Sequence, residues 1–400
     1  MNPIDITTEA QDIEHKHHLP IYRRYPITLE RGEGSLVWDY KGNEYLDMLA
    51  GIAVNNTGHC HPNVVKAIKD QAEKLIHPSN FFYTKPQSDL AKLLSELSGL
   101  ERVFFCNSGV EALEASLKIA RKFGNNHGKK GEIIAVERGF HGRSLAAIAL
   151  GKEKYQKGFA PIPSGFKTIP FNDIEALENE INDDTIAFAC EPIQGEGGIH
   201  EVSGEYLKRA RELCDQHNAL LFYDEVQCGN GRTGKYFGFE HHGIKPDIIA
   251  TAKGLGGGFP IGAVMASEKA AQALDYGDHG TTYGGNPLAC AASLAAVRTI
   301  LDEDLMTQAT EKGEYLRKQI TEKTEGLGLI KEIRGRGLMI GLELTNEGKP
   351  VVMEMLDNYV ISNVTMDTTI RLVPPLVITY EQLDRFVDVF VAALKKCGKS

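Results

Sequence analysis

The sequence predicts an α/β protein with a large domain, in which helices flank a mostly parallel sheet, and a smaller α+β domain. Three observations support this prediction. Short apolar runs alternate with amphipathic stretches from about residue 100 to residue 265, as in the strand–helix units of a parallel sheet. After residue 290 the pattern changes to a long helical stretch followed by alternating apolar and polar residues. The chain, at 400 residues, also exceeds the size at which one hydrophobic core stops growing.

The composition is that of an ordinary globular protein, with 42% hydrophobic and 24% charged residues. The net charge of −10 argues against a nucleic-acid partner, which would require a basic surface. We find no apolar run of roughly 18–20 residues and no signal-peptide pattern, so we expect no membrane association. The seven cysteines are scattered and include no CxxC pair, so we expect no metal site and a cytoplasmic location.

The chain divides into three predicted parts. Residues 1–57 form an N-terminal segment that joins the smaller domain, with a loose polar start (1–20) and a hairpin (36–48) around a turn at 41–43. Residues 58–288 form the large domain, which begins with helices at 62–77 and 88–98, the second ending at Gly99. Residues 289–400 form the smaller domain, with helical sequence to about 324, one half-exposed strand at 333–343 and a last helix at 380–396.

A turn from strand to helix near residue 108 is typical of an anion site. The run 103–106 predicts a strand, and a helix begins directly after Ser108 and Gly109. The first N–H groups of a helix have no partner within the helix, and the helix dipole is positive there, so a phosphate fits. The local sequence is equally compatible with an ordinary turn in which Ser108 caps the helix.

Two further strand ends carry an acid and a lysine. The buried strand predicted at 220–223 stops at Asp224, and the run 248–250 leads into Lys253 and a glycine-rich turn. In open α/β sheets, ligands bind beyond the carboxyl ends of the strands. Pyridoxal phosphate requires a lysine for a Schiff base and an acid that keeps its pyridine nitrogen protonated. Alone, Lys253 is also typical of a solvated loop and Asp224 of a helix cap, but the pair favours this cofactor.

Three more loops carry side chains suited to a ligand. In FHGRS (140–144), Phe140 can stack on a planar ring and Arg143 can bind a carboxylate through two parallel hydrogen bonds. The strand at 186–190 is followed by EPIQGEGG, which contains Glu196. The loop HGTTYGGNP (279–287) places Thr281 and Thr282 among glycines, a pattern typical of phosphate contacts and also of ordinary turns.

These motifs resemble those of the class III (subgroup II) aminotransferases, which are pyridoxal-phosphate enzymes of fold type I, and most closely their acetylornithine and ornithine branch. The matching segments extend from about residue 22 to the C-terminus and include DEVQCGNGRTG, PDIIATAKGLGGGFPIGA, FHGRS, EPIQGEGG, HGTTYGGNP and RLVPPL. The resemblance implies an aminotransferase with pyridoxal 5'-phosphate as its cofactor. It also implies a homodimer with shared active sites.

The resemblance assigns a role to individual residues. Lys253 would form the Schiff base and then move a proton, and Asp224 would keep the pyridine nitrogen charged. Arg143 would bind one carboxylate of 2-oxoglutarate or glutamate, Arg371 the α-carboxylate, and Glu196 would cancel the charge of that second arginine for a donor whose reacting end has no carboxylate. Further cofactor contacts are implied for Ser108, Gly109, Val110, Phe140, Gln227 and, from the other subunit, Thr282.

The resemblance leaves the amino donor open among N-acetylornithine, ornithine, N-succinylornithine, succinyl-diaminopimelate and 4-aminobutyrate. Ile52 stands where the ornithine-specific enzymes carry a tyrosine, so no hydroxyl is offered to a free α-amino group, although Ile52 is also explained as a core residue. Thr281 matches a residue that binds the acyl group or carboxylate in the acetylornithine branch, and Tyr22 is predicted on the substrate side as well. We therefore expect amino transfer from N-acetylornithine to 2-oxoglutarate, a reaction of arginine biosynthesis.

Two other classes of protein stay open. One is a pyridoxal-phosphate enzyme that is not a transaminase, such as an aminomutase or a decarboxylase, and Arg371 together with Glu196 argues against it. The other is a non-catalytic protein with the same fold, against which the intact Lys253 and Asp224 argue.

Overall fold

The computed structural model describes residues 3–398, with side chains from residue 6 onward. The strands are β1 (Leu29–Glu33), β2 (Leu36–Asp39), β3 (Glu44–Asp47), β4 (Arg102–Cys106), β5 (Ile133–Val136), β6 (Phe166–Ile169), β7 (Ala187–Cys190), β8 (Ile193–Gln194), β9 (His200–Glu201), β10 (Leu220–Asp224), β11 (Ile248–Thr251), β12 (Gly262–Ala266), β13 (Ile330–Arg336), β14 (Met339–Leu344), β15 (Val360–Ile361), β16 (Asn363–Thr365) and β17 (Thr369–Leu372).

The helices connect and cover these strands. They are α1 (Pro3–His17), the short turn α2 (Ala50–Ala53), α3 (Pro62–Ala72), α4 (Lys85–Ser98), α5 (Gly109–Asn126), α6 (Leu145–Ala149), α7 (Ile174–Glu180), α8 (Gly204–Gln216), α9 (Glu268–Ala271), α10 (Pro287–Asp302), α11 (Leu305–Thr324), α12 (Lys349–Asp357) and α13 (Tyr380–Cys397). Within residues 3–398, no helix combines the length and the apolar character needed to cross a bilayer.

The central sheet has seven strands in the order β4-β12-β11-β10-β7-β5-β6. Neighbours from β11 to β6 run parallel, whereas β12 is antiparallel to both β11 and β4. The mostly parallel sheet is therefore confirmed. Strand β12 was not predicted; its five residues, GAVMA, follow closely on a glycine-rich turn.

Helices cover both faces of this sheet, so its inner strands are apolar on both sides. Every residue of β5, β7, β10 and β11 is buried. Because side chains alternate along a strand, Leu221 and Tyr223 pack on the face covered by α8, and Leu220 and Phe222 pack on the face covered by α5. The continuous apolar run at 220–223 results from this double burial.

A second, antiparallel sheet in the order β13-β14-β17-β16 lies under α11, α12 and α13. The single strand predicted at 333–343 was wrong, because the chain reverses at Gly337 and Leu338 and forms a hairpin of two strands. The helical stretch predicted to about 324 is two helices, which separate at Asp304, a residue with a left-handed φ of 50°.

The N-terminal strands form a third sheet in the order β1-β2-β3-β15, in which β15 from the C-terminal part lies parallel to β3. This pairing supports the predicted association of residues 1–57 with residues 289–400, and the domain boundaries at 57 and 288 stay predictions. Residues 3–17 form a helix, so the loose start predicted for this segment was wrong.

The hairpin β13–β14 depends on a close contact with helix α11. A Cβ atom added to Gly313 would lie 1.9 Å from the carbonyl oxygen of Gly337, at the tip of the hairpin. The helix backbone and the turn therefore touch directly, and the contact fixes the strand that follows the turn.

We expect Gly313→Ala to destabilise the protein by about 1–3 kcal/mol, since the added methyl group must displace backbone rather than a flexible side chain. Alanine would otherwise favour a helix by roughly 1 kcal/mol. Thermal denaturation followed by circular dichroism measures the change. Lys318→Ala on the same helix is the control, because its side chain is 70% exposed and it should stay within about 0.5 kcal/mol of the parent. An unchanged or higher midpoint for Gly313→Ala would contradict the proposed contact.

Candidate active site

A cavity of about 300 Å³ lies at the carboxyl ends of β4, β10 and β11. Parallel strands deliver the residues that follow them to one edge of the sheet, which explains why distant motifs meet there. The residues predicted from the sequence that line it are Ser108, Gly109, Val110, Phe140, Asp224, Gln227 and Lys253. Their roles stay predictions.

One wall of the cavity is the N-terminus of helix α5. Ser108 caps the helix, and its hydroxyl accepts a hydrogen bond of 3.3 Å from the N–H of Glu111. A Cβ atom on Gly109 would lie 2.8 Å from Val226, so only glycine permits this approach of the helix to the strand end. The free N–H groups and the positive end of the dipole of an 18-residue helix make this wall suited to an anion such as phosphate.

The opposite wall carries Asp224 at the end of β10. One carboxylate oxygen lies 2.7 Å from Nδ1 of His141, and the other accepts a hydrogen bond of 3.0 Å from the N–H of Val226. Burial alone would lower the pKa of His141, but the hydrogen bond to Asp224 and the charges of Asp224 and Glu191 together raise that pKa. His141 and the N–H of Val226 thus orient both carboxylate oxygens of Asp224 at the cavity wall.

His141 was not singled out from the sequence. It follows Phe140 directly in the FHGRS motif, and this adjacency was the available signal, because the turn points the two consecutive side chains at the same cavity. Its partner lies 83 positions away, so the pairing itself is not visible in the sequence.

Glu191 is a second residue that sequence reasoning did not assign to the site. It is buried against the cavity, and its carboxylate accepts hydrogen bonds of 2.9 Å from the N–H groups of Phe140 and Gly195. Burial raises the pKa of Glu191 to about 7. The residue therefore joins the FHGRS turn to the EPIQGEGG turn and fixes both relative to Asp224.

Asp224 and its neighbour Glu225 have different surroundings, although the sequence presents them as a pair. Glu225 is fully buried and accepts hydrogen bonds of 2.8 Å from the N–H groups of Gly238 and Phe239, and it lies 3.1 Å from Sγ of Cys228. It stabilises the loop below the site, whereas Asp224 lines the cavity.

Lys253 begins a 3-10 turn with a left-handed φ of 49°. A Cβ atom on the next residue, Gly254, would lie 2.4 Å from the side chain of Asn56, so glycine allows the turn to lie against the N-terminal segment. Burial, assisted by the nearby charge of Arg371, lowers the pKa of Lys253 to about 8. A large fraction of the amine is thus neutral near pH 8, as a nucleophile or a base requires.

Arg371 on β17, in the antiparallel sheet, is fully buried and contacts Gln227 of the cavity wall. Its guanidinium forms an ion pair with Glu196 and donates hydrogen bonds of 3.2 Å to Gln227 and to Asn363. Burial alone would raise the pKa of Glu196, but Arg371 lowers it, so the acid is ionised in this contact. The predicted proximity of Glu196 and Arg371 is what the structure shows.

The other residues predicted for substrate or cofactor lie outside this cavity. Arg143 is exposed and stacks on Tyr155 at 4.0 Å, near the mouth. Thr281 accepts a hydrogen bond of 3.3 Å from Asn107, while Thr282 is exposed. Tyr22 is 69% exposed on the N-terminal segment. Within one chain, these four residues do not complete the site.

Ile52 lies in a left-handed turn two residues before Val54, which lines the cavity, and is not itself a lining residue. The φ angles of Ala50, Gly51, Ile52 and Ala53 are 52°, 64°, 68° and 59°. A β-branched residue disfavours this conformation, so the surroundings must hold the turn in place. The carboxylate of Asp47 does so by accepting hydrogen bonds of 2.8 and 2.9 Å from the N–H groups of Leu49 and Ala50.

Arg232 is a fully buried cation that connects the parts of the chain around the cavity. Its guanidinium donates to the side chain of Asn56 and to the carbonyl groups of Leu338 and Pro374. These acceptors lie in the N-terminal segment, at the tip of the β13–β14 hairpin and just after β17. The arginine thus holds the strand of Arg371 against the loop that follows Asp224.

The cavity fits a flat ring that carries a phosphate. A helix N-terminus faces the anion, a buried acid held by His141 faces a ring nitrogen, and Lys253 lies where it can attach to the ring. Among the described residues no group of side chains is arranged to hold a metal ion. The arrangement therefore suits acid–base and nucleophilic chemistry on an amine.

Known proteins are similar to this chain in sequence and in fold. Residues 20–394 match the Aminotransferase class-III family. The chain is 54% identical to the acetylornithine aminotransferase of Methanocaldococcus jannaschii over 94% of this chain and 96% of that one. The ornithine aminotransferase of Toxoplasma gondii superposes with a TM-score of 0.95 at 35% identity, covering 98% of this chain and 96% of that chain. The acetylornithine aminotransferase of Elizabethkingia anophelis superposes with 0.87 at 34%, covering 98% and 99%. Fold type I is confirmed, and the chain belongs to the class III aminotransferases, a family of pyridoxal-phosphate enzymes.

Proposed function

We propose that the protein transfers the terminal amino group of N-acetylornithine to 2-oxoglutarate, giving N-acetylglutamate 5-semialdehyde and glutamate, a reaction of arginine biosynthesis. The contact of Glu196 with the buried Arg371 carries this proposal. When a dicarboxylate binds, the charge of Arg371 is available to it. When a donor without a carboxylate at its reacting end binds, Glu196 neutralises that charge. The relatives named acetylornithine aminotransferase support the choice of donor.

The residues around the cavity would hold pyridoxal phosphate as follows. The N-terminus of α5, with Ser108, Gly109 and Val110, would bind the phosphate. Asp224, oriented by His141, would hold a proton on the pyridine nitrogen, and Gln227 would bind the 3-oxygen. Phe140 would cover the ring. When bound, the cofactor supplies an aldehyde that accepts the amino group and a ring that withdraws electrons from the carbon that loses its proton.

Lys253 is the group that moves the proton. Its lowered pKa leaves Nζ able to accept a proton from the carbon that carries the substrate amine and to return it elsewhere. Arg371 binds and orients the α-carboxylate of glutamate, so that this carbon faces Lys253. Arg143 at the mouth would bind the second carboxylate.

We attribute the choice of donor to Ile52, in the turn that precedes Val54 of the cavity wall. An isoleucine offers no hydrogen bond to a free ammonium group, and burying that charge without a partner costs several kcal/mol. An acylated amine is neutral and loses less on entering, and Thr281 would bind its acyl group or carboxylate. Ornithine, N-succinylornithine, succinyl-diaminopimelate and 4-aminobutyrate are the alternative donors.

A homodimer with shared sites completes the proposal. The segment 77–84 and the loop 281–286 are joined by a hydrogen bond of 2.9 Å from Asn80 to the carbonyl of Gly284. Together they present an exposed apolar surface beside the cavity, made of Phe81, Phe82, Tyr83 and Tyr283. A second copy that covers this surface would bring its Thr282 to the phosphate end of the site. The cysteines form no disulfide among residues 3–398, which suits a reducing cytoplasm.

Lys253→Ala should abolish the covalent attachment of pyridoxal phosphate and nearly all turnover, because no other amine in the cavity wall replaces it. Borohydride reduction followed by peptide mass mapping should place the cofactor on Lys253 in the parent protein. Lys235→Ala, at an exposed position, is the control and should retain both labelling and activity. Reduction that fixes the cofactor to a different lysine would contradict the assignment.

The parent protein should use N-acetylornithine at least about 10-fold better, in kcat/KM, than ornithine or 4-aminobutyrate, a difference of about 1.4 kcal/mol. Ile52→Tyr should narrow the gap towards ornithine, since the hydroxyl offers a partner to the free amine. Steady-state assays with 2-oxoglutarate as acceptor test both statements. Equal or better use of ornithine by the parent would refute the choice of donor.

Mixing Lys253→Ala subunits with Thr282→Ala subunits should restore activity if the sites are shared. Each mixed dimer then has one site with both residues intact, so random exchange should recover roughly one quarter of the parent activity. Native mass spectrometry verifies that mixed dimers form. Verified mixed dimers without activity would rule out a shared site.

A further inference from the structure

Lys152 is a half-buried cation next to the cavity whose ammonium has no carboxylate at ion-pairing distance among the described residues. Its Nζ donates a hydrogen bond of 2.8 Å to the main-chain carbonyl of Glu196 and lies 3.0 Å from the thioether sulfur of Met366. A thioether is a weak acceptor, so the ammonium group retains capacity for a stronger one. Burial, together with the charge of Lys154, lowers the pKa of Lys152.

The main chain around Glu196 is held on both sides. The N–H of Gly195 donates to Glu191 at 2.9 Å, and the carbonyl of Gly198 accepts a hydrogen bond of 2.8 Å from Arg334. The side chain of Glu196 is 24% exposed, whereas that of Arg371 is only 1% exposed. A movement that separates these two charges is therefore a rotation of the Glu196 side chain on a fixed backbone.

A glutamate or 2-oxoglutarate carboxylate that binds Arg371 must displace the carboxylate of Glu196. A displaced, partly buried acid without a partner is costly. Three cations are close enough to lower the pKa of Glu196, namely Arg371, Lys253 and Lys152. The substrate occupies the first and the chemistry of the amine requires the second, which leaves Lys152.

We propose that Lys152 is the second partner of Glu196 and receives its carboxylate whenever a dicarboxylate substrate occupies Arg371. Lys152 is then a specificity-determining residue that stabilises the state of the site competent for glutamate, while the Glu196–Arg371 pair defines the state competent for the acylated donor. This inference rests on the proposed function, in which one arginine serves two half-reactions. The carboxylate of Glu196 can reach Lys152 by rotation of its side chain alone, because Lys152 already contacts the main chain of Glu196.

The experiment follows each half-reaction separately through the absorption of the bound cofactor in the holoenzyme, with L-glutamate or N-acetyl-L-ornithine as the sole substrate. In Lys152→Met, kcat/KM for glutamate should fall roughly tenfold, mainly through KM, and the value for N-acetylornithine should change less than about twofold. Lys152→Arg should restore glutamate use. Lys157→Met, at an exposed position on the same segment, is the matched control.

A binding measurement complements these rates. Glutarate carries two carboxylates and no amine, so it probes the displacement of Glu196 without any reaction. Its dissociation constant, measured by calorimetry on the holoenzyme, should rise by roughly the same tenfold factor in Lys152→Met. Unchanged glutarate binding would overturn the proposal.

The decisive comparison repeats Lys152→Met in a Glu196→Gln background, where no carboxylate remains to be received. There the substitution should produce no further selective loss with glutamate. A loss of the same size would mean that Lys152 binds the substrate directly, and an equal loss with both substrates in the parent background would mean a structural role. Either result overturns the proposal. A parent protein that does not exchange its amino group with glutamate would instead refute the proposed function, and the inference with it.

Discussion

The ion pair between Glu196 and the fully buried Arg371 is the interaction on which the arrangement of the site depends. Removing one partner of a buried ion pair costs about 3–5 kcal/mol, so Arg371 strongly favours having an anion beside it. Glu196 is that anion in this structure, and in the proposed function a substrate carboxylate would replace it. This exchange would provide selectivity, because a ligand needs a carboxylate at the right distance to take Arg371 from its internal partner.

This pair needs the antiparallel sheet to hold Arg371 against the loops of the central sheet, and buried cations at the boundary provide that support. Arg334 binds the carbonyl of Gly198 in the loop of Glu196, and it is itself paired with Glu343 at 2.7 Å. Hydrogen bonds from threonines and from Arg334 outweigh burial and lower the pKa of Glu343 to about 2, so the support is ionised at neutral pH. Arg232 donates hydrogen bonds to neutral carbonyl groups of Asn56, Leu338 and Pro374. Its position therefore depends on the correct assembly of these three segments.

The sequence predicted those parts of the site that follow buried strands, and it failed where tertiary contacts decide. The apolar runs before Ser108, Asp224 and Lys253 are continuous because the sheet is covered on both faces, so the strand ends were recognisable. The antiparallel strand β12 was missed because three of its five residues are glycine or alanine, which carry little strand signal. His141 and Glu191 were missed because their function consists of contacts to residues far away in the chain. The hairpin at 330–344 was read as one strand, since its two-residue turn interrupts the alternation only briefly.

The two ends of the site differ in burial within one chain, and this difference has a physical reason. The end that we propose for proton transfer requires desolvation, and its residues are buried: Asp224, His141 and Arg371 are nearly inaccessible, and burial lowers the pKa of Lys253 to about 8. The end that selects the substrate requires access, and its predicted residues Arg143 and Thr282 are exposed. A desolvated amine beside an open mouth is only useful if something closes that mouth when the substrate is bound. The loop of Tyr283 is joined to the cavity wall by the hydrogen bond from Asn107 to Thr281, so in the homodimer that we propose a second copy that covers Tyr283 would also close the mouth.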